Sequence, residues 1–145
     1  ASDIARAIAA SLVEQGGRAL IIDYGHIESG AGDSLQAVRG HRYWPVLSSP
    51  GKADITAHVD FEALARAGLD AGASAWGPVA QGLFLDRLGL PARVARLIAG
   101  KSAAEAEAIA RGAHRIAAPE AMGEMFKAFC LSAPALPAPA GFEAP

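Results

Sequence analysis

Cysteine is nearly absent from this 145-residue sequence, which has only Cys130. One thiol excludes an internal disulfide and the cysteine spacings of zinc sites, and it favours a reducing compartment. The formal net charge is −2, and no basic stripe indicates a nucleic-acid partner. No apolar run approaches the roughly 20 residues that span a bilayer, and the first residues do not resemble a signal peptide. We therefore expect neither nucleic acid nor membrane as a partner.

The common signatures of cofactor and metal sites are also missing. The glycines near residue 30 do not have the spacing of a dinucleotide-binding loop, and no serine lies in a nucleophile elbow. Gly100-Lys101-Ser102 resembles the end of a phosphate loop, but Ala95 stands where the first glycine is needed. Ser102 and Glu105 have instead the spacing of a capping box, which begins a helix. The four histidines are too widely spaced for a helical zinc site, so no metal is expected.

The most informative segment that is present is an apolar run, Ala19–Asp23, followed by Tyr24 and Gly25. Such a run predicts a buried parallel strand that ends at the rim of a site. An amphipathic helix, Ser2–Gln15, precedes it, with Ile4, Ile8 and Leu12 as its apolar stripe beside Ala5 and Ala9. Because no strand precedes that helix, we expect the chain to be part of a longer protein.

The rest of the sequence alternates predicted helices with about three parallel strands, an α/β pattern. We predict a helix or loop over Leu35–Arg42, helices over Asp60–Gly72, Gly82–Leu88, Arg93–Ala99 and Ser102 to about Ile116, and strands over Ala75–Val79 and Phe126–Ser132. Hydrophobic residues make up 52% of the chain, which is ample for one core. We expect residues 1–132 to belong to one domain and residues 133–145 to form a proline-rich tail, docked or disordered. So few strands leave sheet edges uncovered.

Polar residues in the predicted loops are the candidates for a site: Asp23, Asp33, Gln36, His41, Asp54, Thr56, Asp60 and Gln81. Several have a simpler interpretation, because Asp60 suits a helix N-cap and Asp33 and Asp54 suit turns. Gln81 is able to satisfy a nearby backbone group. Asp23 is harder to explain in this way, since a carboxylate at the end of a buried strand needs hydrogen bonds or a ligand.

Taken in order, four blocks of the sequence resemble the second half of the MidA-like family of S-adenosylmethionine-dependent methyltransferases. They are Gly17–Gly25, Gly32–Arg39 with His41, Pro50–Phe61, and Gly77–Gly82 with Phe84-Leu85 and Leu88-Gly89. The resemblance implies part of a class I, Rossmann-like methyltransferase fold, in which the apolar strand is the fifth strand of the sheet. It also implies S-adenosylmethionine as cofactor. In that fold the cofactor-binding residues lie in the first half, so the missing N-terminal half is an expected partner, and this chain alone is expected to be inactive.

The family includes a mitochondrial protein arginine methyltransferase that assists complex I assembly, so the resemblance implies a protein substrate methylated on arginine. Carboxylates are able to grip a planar guanidinium, and Asp23 and Asp54 are the predicted catalytic residues. The predicted substrate-binding residues are His26, Gln36, His41, Asp60 and Gln81. The alternative is a non-catalytic binding or assembly module for a respiratory or other complex. A bacterial cytoplasm, or the mitochondrial matrix, and a homodimer are further expectations.

Overall fold

The structure is a computed structural model that describes residues 1–142, so the last three residues of the predicted tail lie outside it. Helices and strands alternate along most of the chain. They are α1 Ser2–Gln15, β1 Arg18–His26, β2 Gln36–Arg39, β3 Arg42–Trp44, β4 Asp54–Thr56, β5 Val59–Asp60, α2 Phe61–Asp70, β6 Ser74–Ala80, α3 Gln81–Arg87, α4 Leu90–Ile98, α5 Ala103–Ala117 and β7 Phe126–Ser132. A short π-helical turn, Pro119–Gly123, joins α5 to β7.

The main sheet has the strand order β5-β1-β7-β6. The expectation of parallel strands is wrong for most of it, because β7 runs antiparallel to both β1 and β6, and only β1 and β5 are parallel. A strand buried on both faces is apolar whichever way its neighbours run, so the composition of β7 does not reveal its direction. On its other side β1 pairs with β5 only at Gly25 and His26, which leaves the edge of Arg18–Tyr24 open within the described chain.

Helices α1 and α2 cover one face of this sheet and enclose the core. Phe61 and Phe129 are fully buried there and meet edge to face, with ring centroids 6.0 Å apart. The predicted stripe of α1 is corrected at Ile4, which is 67% exposed, whereas Ala5 and Ala9 are buried and Leu12 packs against the core. The small alanine side chains allow α1 to lie close against α2, and Ile4 falls on the outer side of that contact.

A second, smaller sheet has the order β3-β2-β4 and is antiparallel throughout. It replaces the helix or loop that we predicted over Leu35–Arg42. Arg39 pairs with Arg42, so Gly40 and His41 form a two-residue hairpin turn. Both turn residues have positive φ, 56° and 60°, as the tightest hairpin turns require. Histidine rarely takes this conformation, so the sequence did not indicate a hairpin here.

The remaining elements agree with the expected order of helices and strands. Ser102 and Glu105 form the predicted capping box at the start of α5, and Asp60 caps α2 by accepting the Ala63 N–H at 2.9 Å. The described part of the tail is docked: the ring of Phe142 packs against Phe84 with centroids 5.1 Å apart. The Arg18 and Arg87 guanidinium groups also donate to tail carbonyls, at 2.9 and 3.3 Å.

Candidate functional site

Asp23 lies inside β1 and not at its end, because the strand continues to His26. Side chains alternate along a strand, so Asp23 shares the face of Ile21, which packs against the core. Its carboxylate accepts the Tyr24 N–H at 2.8 Å, and it stands in register with Lys127, which is 7% exposed. The compensation that we expected for this carboxylate therefore comes from a backbone amide, whereas the ammonium group of the lysine opposite pairs with Glu124 at 3.6 Å.

A cavity of about 800 Å³ opens on the other face of β1, at its carboxyl end. Its walls come from β1, the connection that follows it, the small sheet and the residues before β5 and β7. They are Tyr24, Asp33, Ser34, Leu35, Gln36, Val38, His41, Arg42, Tyr43, Thr56, His58 and Met125. Of the candidates from the sequence, the cavity brings together Asp33, Gln36, His41 and Thr56. This size lies within the range of small-molecule pockets.

Aromatic rings form the inner wall of the cavity. Tyr24 meets His58 edge to face at 5.7 Å between centroids, and it meets Phe126 in the same way at 5.5 Å. The His58 N–H donates to the Ser34 hydroxyl at 3.1 Å, which ties the segment before β5 to the segment before β2. Tyr43 stands at the mouth and is 82% exposed. The wall is thus closely packed at Tyr24 and open at Tyr43.

The small sheet turns one face to the cavity. Val38, which lines the cavity, pairs with both Tyr43 and Asp54, so these three side chains share a face. Asp54 is exposed and is not one of the lining residues, which places it beside the cavity on the same face. Arg42 pairs with Arg39 on the opposite face, although it contributes atoms to the cavity wall.

A separate polar cluster holds the connection between β1 and β2 against α2. The Ser29 hydroxyl donates to both carboxylate oxygens of Asp60, at 2.8 and 2.9 Å, and accepts from Arg66 at 3.2 Å. The Ser29 N–H donates to the Glu62 carboxylate at 2.6 Å. Because this connection continues into the cavity wall at Asp33, the cluster fixes one end of the segment that borders the cavity.

Hydrogen bonds lower the pKa of both carboxyl groups in this cluster. The Ala63 amide holds the pKa of Asp60 below its usual range, with help from the Ser29 hydroxyl and the nearby His26, while desolvation opposes the shift. The Ser29 amide does the same for the pKa of Glu62. Each lowered pKa means that the folded state prefers the charged form, so this stabilisation is present above about pH 4 and is lost below it.

We predict that acidification releases the Ser29 segment. In a nuclear magnetic resonance titration, the Ser29 amide proton should move upfield as Glu62 becomes protonated, with a midpoint below the usual glutamate value of about 4.3. The Glu62→Gln variant should lose this step, because its side chain has no carboxyl group to titrate. A Ser29 amide shift that stays constant down to pH 2.5 in the unsubstituted protein would contradict the assignment.

Two other candidates lie outside the cavity lining. Gln81 is buried at the start of α3 and donates its side-chain amide to the Ile116 carbonyl at 2.7 Å, the backbone role that we considered for it. His26 is the last residue of β1 and pairs with Asp60 at the start of α2. The roles of these residues in substrate binding, like those of Asp23 and Asp54 in catalysis, stay predictions.

Sequence reasoning missed Tyr24, Tyr43 and His58, which make up the aromatic part of the cavity. Because side chains alternate along β1, Tyr24 and Asp23 point to opposite faces of the strand. This alternation assigns Tyr24 to the cavity only when the buried face of the strand is known. Within residues 1–142, no three histidine, cysteine or acidic side chains come close enough to hold a metal ion. In the same residues, no helix combines the length and apolar character needed to cross a membrane.

The architecture is part of a Rossmann-like methyltransferase fold. A crystal structure of an uncharacterised protein from Burkholderia thailandensis superposes with a TM-score of 0.82 at 29% identity, over 99% of this chain and 37% of that one. A second structure from the same organism, bound to S-adenosyl-homocysteine, superposes with a TM-score of 0.77 at 28% identity. It covers 99% of this chain and 36% of the other.

The chain belongs to the family described as "Putative S-adenosyl-L-methionine-dependent methyltransferase", whose model matches residues 1–79. Among curated relatives, the mitochondrial protein arginine methyltransferase NDUFAF7 of Danio rerio is 34% identical over 126 residues, or 87% of this chain. The Mus musculus protein of the same name is 39% identical over 122 residues, or 83% of this chain. The chain spans 29% and 27% of the length of these two relatives. The expected family and fold are thereby confirmed.

Proposed function

We propose that this chain belongs to a methyltransferase that transfers the methyl group of S-adenosylmethionine to an arginine side chain of a protein. Family membership and the neighbour that binds S-adenosyl-homocysteine support the reaction type. The names of the curated relatives support arginine as the acceptor. The observation that carries the proposal is the cavity at the carboxyl end of β1, where open α/β sheets bind their ligands.

The chemistry of the cavity suits a guanidinium group. Tyr24 and Tyr43 offer aromatic rings, which attract a cation, and Asp33 offers a carboxylate at the wall. Arg42 also contributes to the cavity wall, although the register of the small sheet places it on the face opposite Val38. Gln36 and Thr56 add side-chain oxygen acceptors for the N–H groups of an acceptor arginine.

The open parts of the main sheet support the proposal that the N-terminal portion of the family completes the methyl-donor site. Leu20 and Ile22 share the face of Tyr24 and are 53% and 44% exposed, and the edge of β1 beside them has no strand along Arg18–Tyr24 in the described chain. Apolar side chains and unpaired strand edges are ordinarily covered. We therefore propose that the residues that bind S-adenosylmethionine lie in that portion, which packs against this face.

The test is a methyl-transfer assay on the protein that contains this chain together with the family's N-terminal portion. With S-adenosylmethionine labelled in its methyl group and arginine-containing peptides or candidate proteins, we expect the label on arginine, located by mass spectrometry. Tight donor binding in calorimetry without transfer to any acceptor would favour the alternative, a binding or assembly module. Cell fractionation would separate a bacterial cytoplasm from a mitochondrial matrix, and sedimentation would test for a homodimer.

We predict that carboxylates at the cavity bind the acceptor and not the donor. Asp33→Asn should raise the acceptor KM about tenfold, equivalent to about 1.4 kcal/mol, because it removes the charge that faces the guanidinium. The asparagine oxygen is still able to accept the Leu35 N–H, now bonded to Asp33 at 2.8 Å, so the turn should survive. Asp54→Asn should impair acceptor turnover less than Asp33→Asn does, since Asp54 lies beside the cavity and not in its lining.

The matched control for this pair is Asp86→Asn, an exposed acid on α3 that does not line the cavity. It should leave both acceptor kinetics and donor affinity unchanged. Donor affinity, measured by calorimetry, should also be unchanged in the Asp33 and Asp54 variants. Equal losses of donor affinity and acceptor turnover in Asp33→Asn would contradict the acceptor role.

A further inference from the structure

His58 occupies a distinctive place in the cavity, because its surroundings fix it from two directions. Its ring meets the Tyr24 ring at 5.7 Å with an interplanar angle of 75°, and its backbone N–H donates to the Ser34 hydroxyl at 3.1 Å. The next residue, Val59, pairs with Gly25 in the main sheet. The side chain is nevertheless exposed and lines the cavity. A fixed backbone with an accessible imidazole is the arrangement that a proton-transfer group needs.

We propose that His58 is a catalytic residue that accepts the proton released when the acceptor nitrogen is methylated. This inference rests on the proposed function, since it concerns the same cavity and the same reaction. It adds a role distinct from the acceptor binding that we propose for Asp33, and Asp54 lies outside the lining.

The reaction requires such an acceptor. A lone pair on an acceptor guanidinium nitrogen forms the new N–C bond while the bond from the methyl carbon to the sulfonium sulfur breaks. The sulfur keeps that electron pair and becomes a neutral thioether. The attacked nitrogen must then lose one proton to leave a methylguanidinium with its usual single charge. A neutral imidazole accepts this proton through its free ring nitrogen and releases it to solvent through the open cavity.

Several other titratable or charged residues line the cavity together with His58. They are Tyr24 from β1, Asp33 from the segment before β2, and His41, Arg42 and Tyr43 from the β2–β3 hairpin. A general base acts in its unprotonated form, so the pH profile of kcat should have an acidic limb.

The test compares His58→Gln with the unsubstituted protein that also contains the family's N-terminal portion. We expect kcat to fall about a hundredfold and the acidic limb of its pH profile to disappear. The acceptor KM and the donor Kd should change less than threefold. The control is His114→Gln on α5, whose imidazole contacts Glu120 at 3.0 Å and lies outside the cavity. It should retain both kcat and the acidic limb.

Two results would overturn the role of His58. The first is an active His58→Gln enzyme that keeps the acidic limb. The second applies if His58→Gln fails to fold. It is an unchanged midpoint of the acidic limb in Tyr24→Leu, the variant that removes the ring against which His58 packs. A shifted midpoint in Tyr24→Leu supports the role. Absence of any methyl transfer by the unsubstituted enzyme would instead overturn the proposed function, so the two failures are distinguishable.

Discussion

Replacing Gly25 with alanine is expected to separate β5 from β1 and to destabilise the protein by about 2 kcal/mol or more. A Cβ on Gly25 would collide with the Val59 carbonyl oxygen and would lie 2.9 Å from the Val59 nitrogen and carbonyl carbon. These are backbone atoms, so no side-chain rotation relieves the contact. The strands must move apart, and they are paired only at Gly25 and His26.

The consequence should extend to the site, because β5 lies between two of its parts. His58 precedes the strand and lines the cavity, while Asp60 ends it and holds Ser29. We therefore expect Gly25→Ala to lower the midpoint of urea denaturation and to raise the acceptor KM. Gly30→Ala is the matched control from the segment that follows β1, since an added Cβ there meets nothing within 4 Å. Equal stability of the two variants would show that β1 and β5 tolerate a wider separation.

Local signals in the sequence were sufficient for the helices and for the caps of α2 and α5, but not for α1, whose N-cap is Ala1 and not Ser2 or Asp3. Asp60 and Ser102 act on amides three residues away, so their roles follow from spacing alone. The final strand was also recognisable, because Phe126–Ser132 is apolar on both faces apart from one lysine. The antiparallel direction of this strand was not recognisable, because direction depends on pairing between residues that are distant in sequence.

The candidate site shows the same division between local and distant information. Asp33 and Gln36 were selected as polar residues in predicted loops, and they do line the cavity. Tyr24 and His58 were overlooked because their contact joins residues 34 positions apart and exists only through the register of β1 and β5. The small sheet was overlooked because its turn uses Gly40-His41, which lacks the usual asparagine or aspartate.

Replacing Phe61 with alanine is expected to cost about 3 to 5 kcal/mol, a large part of the 5 to 15 kcal/mol that stabilises a typical domain. Phe61 is completely buried, and its ring meets Phe129 of β7 at 6.0 Å, so its loss leaves a cavity between α2 and the sheet. Phe61→Ala should disturb the site more than a comparable substitution at a core residue far from it. Phe61 directly follows Asp60 and anchors the first turn of α2, whose amides Asp60 caps.

The measurement is urea denaturation of Phe61→Ala beside Leu69→Ala, a large-to-small change on the same helix at a side chain that is 55% exposed. Leu69→Ala should cost less than about 1 kcal/mol, because it removes little buried surface. In Phe61→Ala the Ser29 amide signal should also shift, since the Asp60 and Glu62 carboxylates that bind Ser29 lie on either side of residue 61 in the chain. Similar losses of stability in the two variants would mean that α2 is held to the sheet by its remaining contacts, and that the Phe61–Phe129 pair is not the anchor of this end of the helix.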